Sequence, residues 1–373
     1  MKVFILHKKF VENKKIIIGG IETYIRNLCD LFNDLGWGVV VAQPDDTGFE
    51  YTVDGINVVG VPCGRSKHNY RRKLLANWAL GEADYNNDII IFAADWYSVP
   101  IDYQKVISIQ HGISWDLPSK SKNIFSWLLK AREQYSFASK FENSKYKVCV
   151  DYNFLNWYRA CRGDIDESSI EVIPNFSKTH EYIDVDRHLD INDGIVRILF
   201  ARRMVSIRGT RIMADACSFL LGDKKRNIEI TFAGDGPDEL FLKQRFAGDS
   251  RVKFIHYHPN DSSSIHQQSH IAVIPSIGSE GTSLSLIEAM AAGCAVICSN
   301  VGGMTNLVID GFNGLLIKPD AMSLSGALVK MIEDEQFRYE LAVNSLSVAR
   351  KSFSLNKWRY SWKEYIEKIC HSS

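Results

Sequence analysis

The chain has 373 residues, 46% hydrophobic and 24% charged, too many for one ordinary core, so two domains of about 150–200 residues are expected. Its 44 basic and 44 acidic side chains cancel, which gives a nucleic-acid partner no support from bulk electrostatics. The eight cysteines are scattered without a CxxC pair, arguing against a disulfide framework, and no run reaches the ~18 apolar residues needed to span a bilayer.

In chain order, the opening "MKVFILHKKF" has an apolar core too short for a signal peptide and reads as a first strand. A cytoplasmic protein is expected. In the first half strands are predicted at Lys2–His7, Gly38–Ala42, Asn57–Pro62, Asp88–Ala93, Lys105–Gln110, Lys147–Val150 and Ile170–Ile173. Between the first two, Ile21, Ile25, Leu28, Leu31, Phe32 and Leu35 recur at helical spacing, and Gly36 ends the helix. The polar, acidic stretch 177–194 lacks periodicity and is expected to be a linker. Strands then restart at Val196–Ala201, Ile228–Ala233, Val252–Ile255, Ile271–Pro275, Ala295–Cys298 and Gly314–Ile317, with amphipathic helices between them. Alternating strands and helices mean parallel α/β sheets. The expected plan is two Rossmann-like doubly wound domains, 1–176 and 195–354, with an amphipathic helix 355–373 packing back on the first.

"SEGTSLSLIEAMAAG" (Ser279–Gly293) places Glu280 just ahead of a helix and Glu288 well inside it. The helix would start near Thr282 or Ser283, and its free N–H groups attract anions, phosphate above all. At ~1.5 Å of rise per residue the two carboxylates lie roughly 8–12 Å apart. That is wide for the close pair of a retaining glycosidase, ~5 Å apart. It suits a ligand with hydroxyl groups at both ends and phosphate in the middle, as in a nucleoside diphosphate sugar. "FARRMVSIRGT" adds Arg202, Arg203 and Arg208 after a strand, and guanidinium groups fork onto phosphate oxygens. In "AGDGPDE", Gly234 and Gly236 would let backbone approach a nucleotide, although Glu239 spoils a dinucleotide fingerprint.

"FARRMVSIRGT", "FAGDGPDEL", "VIPS…SEGTSLSLIEAMAAGCAVICSNVGG" and "DGFNGLLI", in that order, resemble family 4 of the retaining glycosyltransferases. "GGIETYIRNL", "IQHG" and "VIPNF" in the first half resemble that family's glycine loop, pocket histidine and hinge strand. The resemblance spans nearly the whole chain and is strongest over Arg197–Ile317. It implies the GT-B architecture, α/β with two Rossmann-like domains facing across a cleft, and a hexosyltransferase using UDP- or GDP-sugars. By that resemblance Glu288 would accept from the ribose hydroxyls and Glu280 would face the hexose. Gly281, Thr282, Ser283 and Leu284 would offer N–H groups to sugar and phosphate. Arg203 and Arg208 would hold the pyrophosphate, Arg208 standing where lysine is usual. Gly19 and Gly20 would let a helix start meet the diphosphate, His111 would lie beside the hexose, and the base would rest near Tyr257. No cofactor and no metal are expected. The acceptor would be a saccharide or a lipid-linked saccharide of surface polysaccharide or lipopolysaccharide assembly. Val301–Gly303 resembles a family loop and is assigned to packing.

Two DxD strings, Asp164–Asp166 and Asp184–Asp186, sit in polar connections and are not expected to bind metal. His256, His258, His266 and His270 lack acidic or cysteine partners at zinc spacing and are expected to be structural. "GRSKHNYRRK" (Gly64–Lys73) and residues 119–140 interleave Lys and Arg with aromatic residues. Either could touch an anionic membrane face or a phosphorylated acceptor, or be a solvated helix face. The alternatives left open are a nucleotide-sugar epimerase, a phosphorylase, and a nucleotide- or glycan-binding module without chemistry.

Overall fold

The computed structural model describes residues 1–113, 115–117, 123–163, 165–178, 182–189, 191, 193–258, 261–278 and 280–371. Asp164, residues 119–122 of the basic stretch and residues 179–181, 190 and 192 of the expected linker lie outside them, as do residues 372 and 373 of the last helix. The chain divides into two compact units, one of Met1–His111, Ser121–Ile173 and Arg359–Ser373, the other of Gly112–Lys120 and Pro174–Trp358.

The first unit holds an eight-stranded sheet. Its spatial order is Ile170–Val172, Tyr146–Cys149, Val106–Gln110, Ile89–Phe92, Lys2–Leu6, Gly38–Asp45, Ile56–Pro62 and Phe49–Val53. All neighbours are parallel except the last pair. Ile89–Phe92 and Val106–Gln110 are buried at every position, as strands covered on both faces must be. Phe49–Val53 was not expected from the sequence. It closes a hairpin with Ile56–Pro62 through Asp54 and Gly55, both at positive φ (50° and 79°), the backbone a two-residue hairpin turn demands. Helix Gly20–Asp34 buries Tyr24, Ile25, Leu28, Cys29, Leu31 and Phe32. Residues of helix Leu355–His371 from Arg359 onward belong to this unit. Trp362 is fully buried there and donates to the Tyr24 hydroxyl at 2.8 Å; Tyr365 donates to the Ser169 carbonyl at 2.8 Å.

The second unit has six parallel strands in the spatial order Val252–Ile255, Ile228–Ala233, Val196–Ala201, Ile271–Ile274, Ala295–Ser299 and Leu315–Ile317. Strand order reverses between Val196–Ala201 and Ile271–Ile274, the switch point where doubly wound sheets open a crevice at their carboxyl ends. Ile198, Phe200, Ile230 and Phe232 pack on one face; Leu286, Ile287, Met290 and Val296 pack on the other.

The described part of 177–194 is not a free linker. His188 is fully buried and its Nε2 donates to the Gly293 carbonyl at 2.9 Å, while Arg187 donates to the Ala292 and Gly293 carbonyls, both at 2.9 Å. These carbonyls follow the end of helix Leu284–Ala291 and need such donors. Arg338, also buried, donates to the His188 carbonyl at 2.9 Å. The segment reads as linker because what it buries is polar.

Burial pushes His188 down to about 3, helped by the Arg187 charge, and burial pushes His266 and His270 down to about 4. An unfolded histidine protonates near 6.5, so between 6.5 and these lower values the unfolded chain holds more protons. The contribution of these three histidines to the unfolding free energy is therefore full above pH 6.5 and falls on acidification toward pH 4. Urea titrations across that range should show the decline, and His188→Asn should flatten it.

Candidate functional site

At the switch point of the second unit, Arg202 leaves strand Val196–Ala201 with its N–H still bonded to the Ala233 carbonyl at 2.9 Å. It therefore stays in sheet register, and its side chain turns into the crevice. There it donates through Nη1 to Ser276 Oγ at 2.8 Å and through Nη2 to Glu280 Oε1 at 2.7 Å. Ser276 donates to the same carboxylate oxygen at 2.5 Å, and Arg208 forms an ion pair with it. Glu280 is 6% exposed and Arg202 is 9% exposed. Burial alone would raise the Glu280 pKa, but the two guanidinium groups outweigh it and hold the carboxyl below its ordinary value. Arg203, assigned with Arg208 to the phosphate, is the next residue and is exposed. Arg202 and Arg208 are the arginines that meet Glu280.

The backbone around Glu280 is held on both sides. Asn175 donates through its backbone N–H to Thr282 Oγ1 at 2.9 Å and through Nδ2 to the Thr282 carbonyl at 2.5 Å. Gly303 N–H donates to the Glu280 carbonyl at 2.9 Å. Gly302, at φ 54°, passes so close that a Cβ would strike that carbonyl. The 301–303 loop, assigned only to packing, thus fixes the carboxylate's backbone. Helix Leu284–Ala291 begins after Ser283 without a side-chain cap, so the N–H groups of its first turn are not satisfied by a capping side chain. Thr282 and Ser283 are buried; Gly281 and Leu284 are half-buried.

About one turn along that helix, Glu288 accepts from Ser262 Oγ at 2.8 Å, while the Ser262 carbonyl accepts from His266 Nδ1 at 2.7 Å. Burial pushes Glu288 up to about 7. Tyr257 packs on Leu199, Ala201 and Ala233 beside it; burial and then the Glu288 charge push its phenol up to about 12. Gly234 and Gly236 lie against the backbone of Arg202 and Met204, which a side chain at either would strike. They let the loop after one strand nest on the loop after the next.

In the first unit, His111 follows strand Val106–Gln110 and its Nε2 donates to the Ala93 carbonyl at 2.8 Å. Its ring meets Tyr24 edge-on at 5.2 Å, and burial pushes its pKa down to about 4, leaving a neutral imidazole at pH 7. His7, at the end of the first strand, donates to Glu22 Oε1 at 3.2 Å. Glu22 lies in the first turn of helix Gly20–Asp34, and a side chain at Gly19 would run into its carboxylate. His7 and Glu22 were not singled out from the sequence. The acid three residues after Gly19, in "GGIE", was the available signal.

His266 and His270 serve packing. His270 Nδ1 accepts from the Arg197 N–H at 2.9 Å. Among the described residues no group of three or more His, Cys, Asp or Glu side chains is placed to hold a metal ion. None of the described helices is long and apolar enough to cross a membrane. On helix Ile124–Phe141, Ile124, Phe125 and Trp127 are 71%, 65% and 64% exposed.

Residues 196–334 match the family model of glycosyl transferases group 1, and residues 18–180 match that of glycosyltransferase family 4. The phosphatidyl-myo-inositol mannosyltransferase of Mycolicibacterium smegmatis is 30% identical over 367 residues, covering 92% of this chain and 87% of the relative. Among solved structures, sucrose-phosphate synthase from Thermosynechococcus elongatus is similar with a TM-score of 0.77 at 16% identity, covering 100% of both chains. The Anabaena protein HepE, crystallised with UDP and glucose, is similar with a TM-score of 0.72 at 16% identity, covering 99% of this chain and 100% of its own.

Glu280→Ala leaves a buried guanidinium unpaired and should cost about 3–5 kcal/mol of stability. Arg203→Ala, on the surface, should change it by less than about 0.5 kcal/mol. Urea unfolding of both variants measures the contrast.

Proposed function

Because the chain belongs to the group 1, family 4 glycosyltransferases, we propose that it moves a hexosyl group from a nucleoside diphosphate sugar to a glycan or lipid-linked saccharide, with retention and without a metal. The observation that carries this is the Glu280 carboxylate shared by Arg202 and Arg208 ahead of an uncapped helix start. A diphosphate competes with Glu280 for those guanidinium groups. As it binds, the carboxylate is released to accept from a hexose hydroxyl, and Gly281 to Leu284 supply N–H groups. Glu288 accepts from the ribose, and Tyr257 flanks the base. In the first unit the neutral His111 offers a hydrogen bond to a sugar hydroxyl without adding charge.

In the reaction the anomeric C–O bond breaks and its electron pair passes to the leaving diphosphate. The acceptor hydroxyl attacks the same face, and its proton goes to a phosphate oxygen. Fixed cationic groups aimed at the developing charge lower this barrier, and two arginines supply the charge a metal would otherwise bring. An acceptor at the membrane is supported by the relative that mannosylates phosphatidyl-myo-inositol. The exposed apolar face of Ile124–Phe141 also supports it, since such a face with cations beside it suits an anionic bilayer surface. Surface polysaccharide or lipopolysaccharide assembly, on the cytoplasmic side of the membrane, is the setting we infer.

A thermal-shift panel of UDP- and GDP-sugars, with and without EDTA, tests the donor class: one nucleotide series should stabilise the protein and EDTA should not matter. Arg208→Ala should lower turnover by about 10²–10³-fold. Unchanged donor binding and rate in both Arg208→Ala and Glu288→Ala would sink the site. Glu288 titrates near 7 in the folded chain and binds best as the ionised acceptor. Nucleotide affinity should therefore rise through pH 7 by calorimetry, and Glu288→Gln should remove that dependence.

A further inference from the structure

Three serines in a row, Ser262, Ser263 and Ser264, open the short helix Ser262–Gln267 of the second unit. Each is used differently. Ser263 Oγ accepts from Gln267 Nε2 at 2.8 Å and Ser264 Oγ donates to the Asp261 carbonyl at 3.0 Å, both bonds local to the helix. Ser262 is 6% exposed and reaches across to helix Leu284–Ala291, where its hydroxyl donates to Glu288 Oε2 at 2.8 Å.

A chain of bonds aims that hydroxyl. His266 Nδ1 donates to the Ser262 carbonyl at 2.7 Å. The Nδ1 proton is engaged there, so Ser262 Oγ, 3.4 Å from the same nitrogen, keeps its own proton for Glu288. The His266 carbonyl in turn accepts from Cys294 Sγ at 3.2 Å. Burial pushes that thiol up to about 11, so it remains a donor at pH 7. Cys294 follows the helix that carries Glu288. The short helix is thus tied to its neighbour at two points, and Ser262 has little freedom to turn elsewhere.

Glu288 relies on this one donor. Among the described residues no cation lies within ion-pair distance of it, and Oε1 has no hydrogen-bond partner. An ionised carboxylate has about four acceptor sites, and Ser262 fills one of them on Oε2. The fixed hydroxyl opposes the effect of burial on ionisation. It also restrains the side chain while leaving Oε1 as the free acceptor for a ligand hydroxyl.

We propose that Ser262 is a positioning residue of the donor site, holding Glu288 ready for the ribose and thereby setting a preference for ribonucleoside over deoxyribonucleoside diphosphates. It rests on Glu288 accepting from the ribose, as in the proposed function. Without the Ser262 hydroxyl the glutamate is free to change rotamer, and more of it stays protonated at pH 7. Both effects weaken acceptance from a sugar hydroxyl, and neither touches a nucleotide that lacks that hydroxyl.

Calorimetry on the full chain measures this, with UDP and GDP and with the 2′-deoxy and 3′-deoxy forms of each. Wild type should bind the preferred ribonucleotide about tenfold or more tightly than the deoxy form that lacks the bonded hydroxyl. Ser262→Ala should lower ribonucleotide affinity by about five- to tenfold and leave deoxynucleotide affinity within about twofold, so the preference collapses. Ser262→Cys, close in shape but with only a weak S–H donor, should behave alike, and it takes the place of Ser262→Ala if that variant does not fold. A serine that merely supports the fold would weaken both nucleotides together. Equal loss for both, or a preference kept at wild-type strength, overturns the role of Ser262 and leaves that of Glu288 standing. Wild type that binds ribo- and deoxynucleotides alike removes the ribose role of Glu288, and that of Ser262 with it. If neither UDP nor GDP binds the wild-type chain, the transferase reading itself has failed.

Discussion

One buried carboxylate organises the second unit. Glu280 has a single oxygen that receives Arg202, Arg208 and Ser276 together. Taking such a carboxylate out of water is affordable only with charge compensation on this scale. The compensation needs two strands to end side by side at the switch point, because Arg202 comes from one and Ser276 follows the other. It also needs the 301–303 loop and Asn175 to hold the backbone of residues 280–282 from either side. The fold, the ion pair and the uncapped helix start are thus one constraint seen at three scales.

The first unit uses the opposite device. His111 is kept neutral by burial and oriented by the Ala93 carbonyl, with Tyr24 against its ring and Trp362 behind Tyr24. A neutral ring whose remaining nitrogen accepts suits a hydroxyl-rich ligand, whereas fixed positive charge suits phosphate. The His7–Glu22 pair at the start of helix Gly20–Asp34 adds an acceptor where glycine keeps the helix start open. Each unit therefore sets a different chemistry at the carboxyl edge of its sheet, as doubly wound sheets do.

Much of this was legible in the chain. Ile89–Phe92 and Val196–Ala201 announce themselves as buried strands, and Ser279–Gly293 announces a helix entered by an acid. The hairpin of Phe49–Val53 was missed, although Asp54–Gly55 offered a turn signal, because half-buried edge residues make a weak hydrophobic signal. Stretch 177–194 misled because its anchors, Arg187 and His188, bury hydrogen bonds rather than apolar surface.

What the sequence determined by itself was the alternation of strands and helices, the two-sheet plan and the carboxylate–arginine character of the site. Those follow from local periodicity and from residue chemistry, both of which survive without coordinates. What only the tertiary structure decided was which arginine of Arg202 and Arg203 faces Glu280, that 301–303 grips its backbone, and that Glu22 meets His7. Such pairings depend on where a strand's register carries a side chain and on the order in which distant strands lie side by side, and no short stretch of sequence carries either.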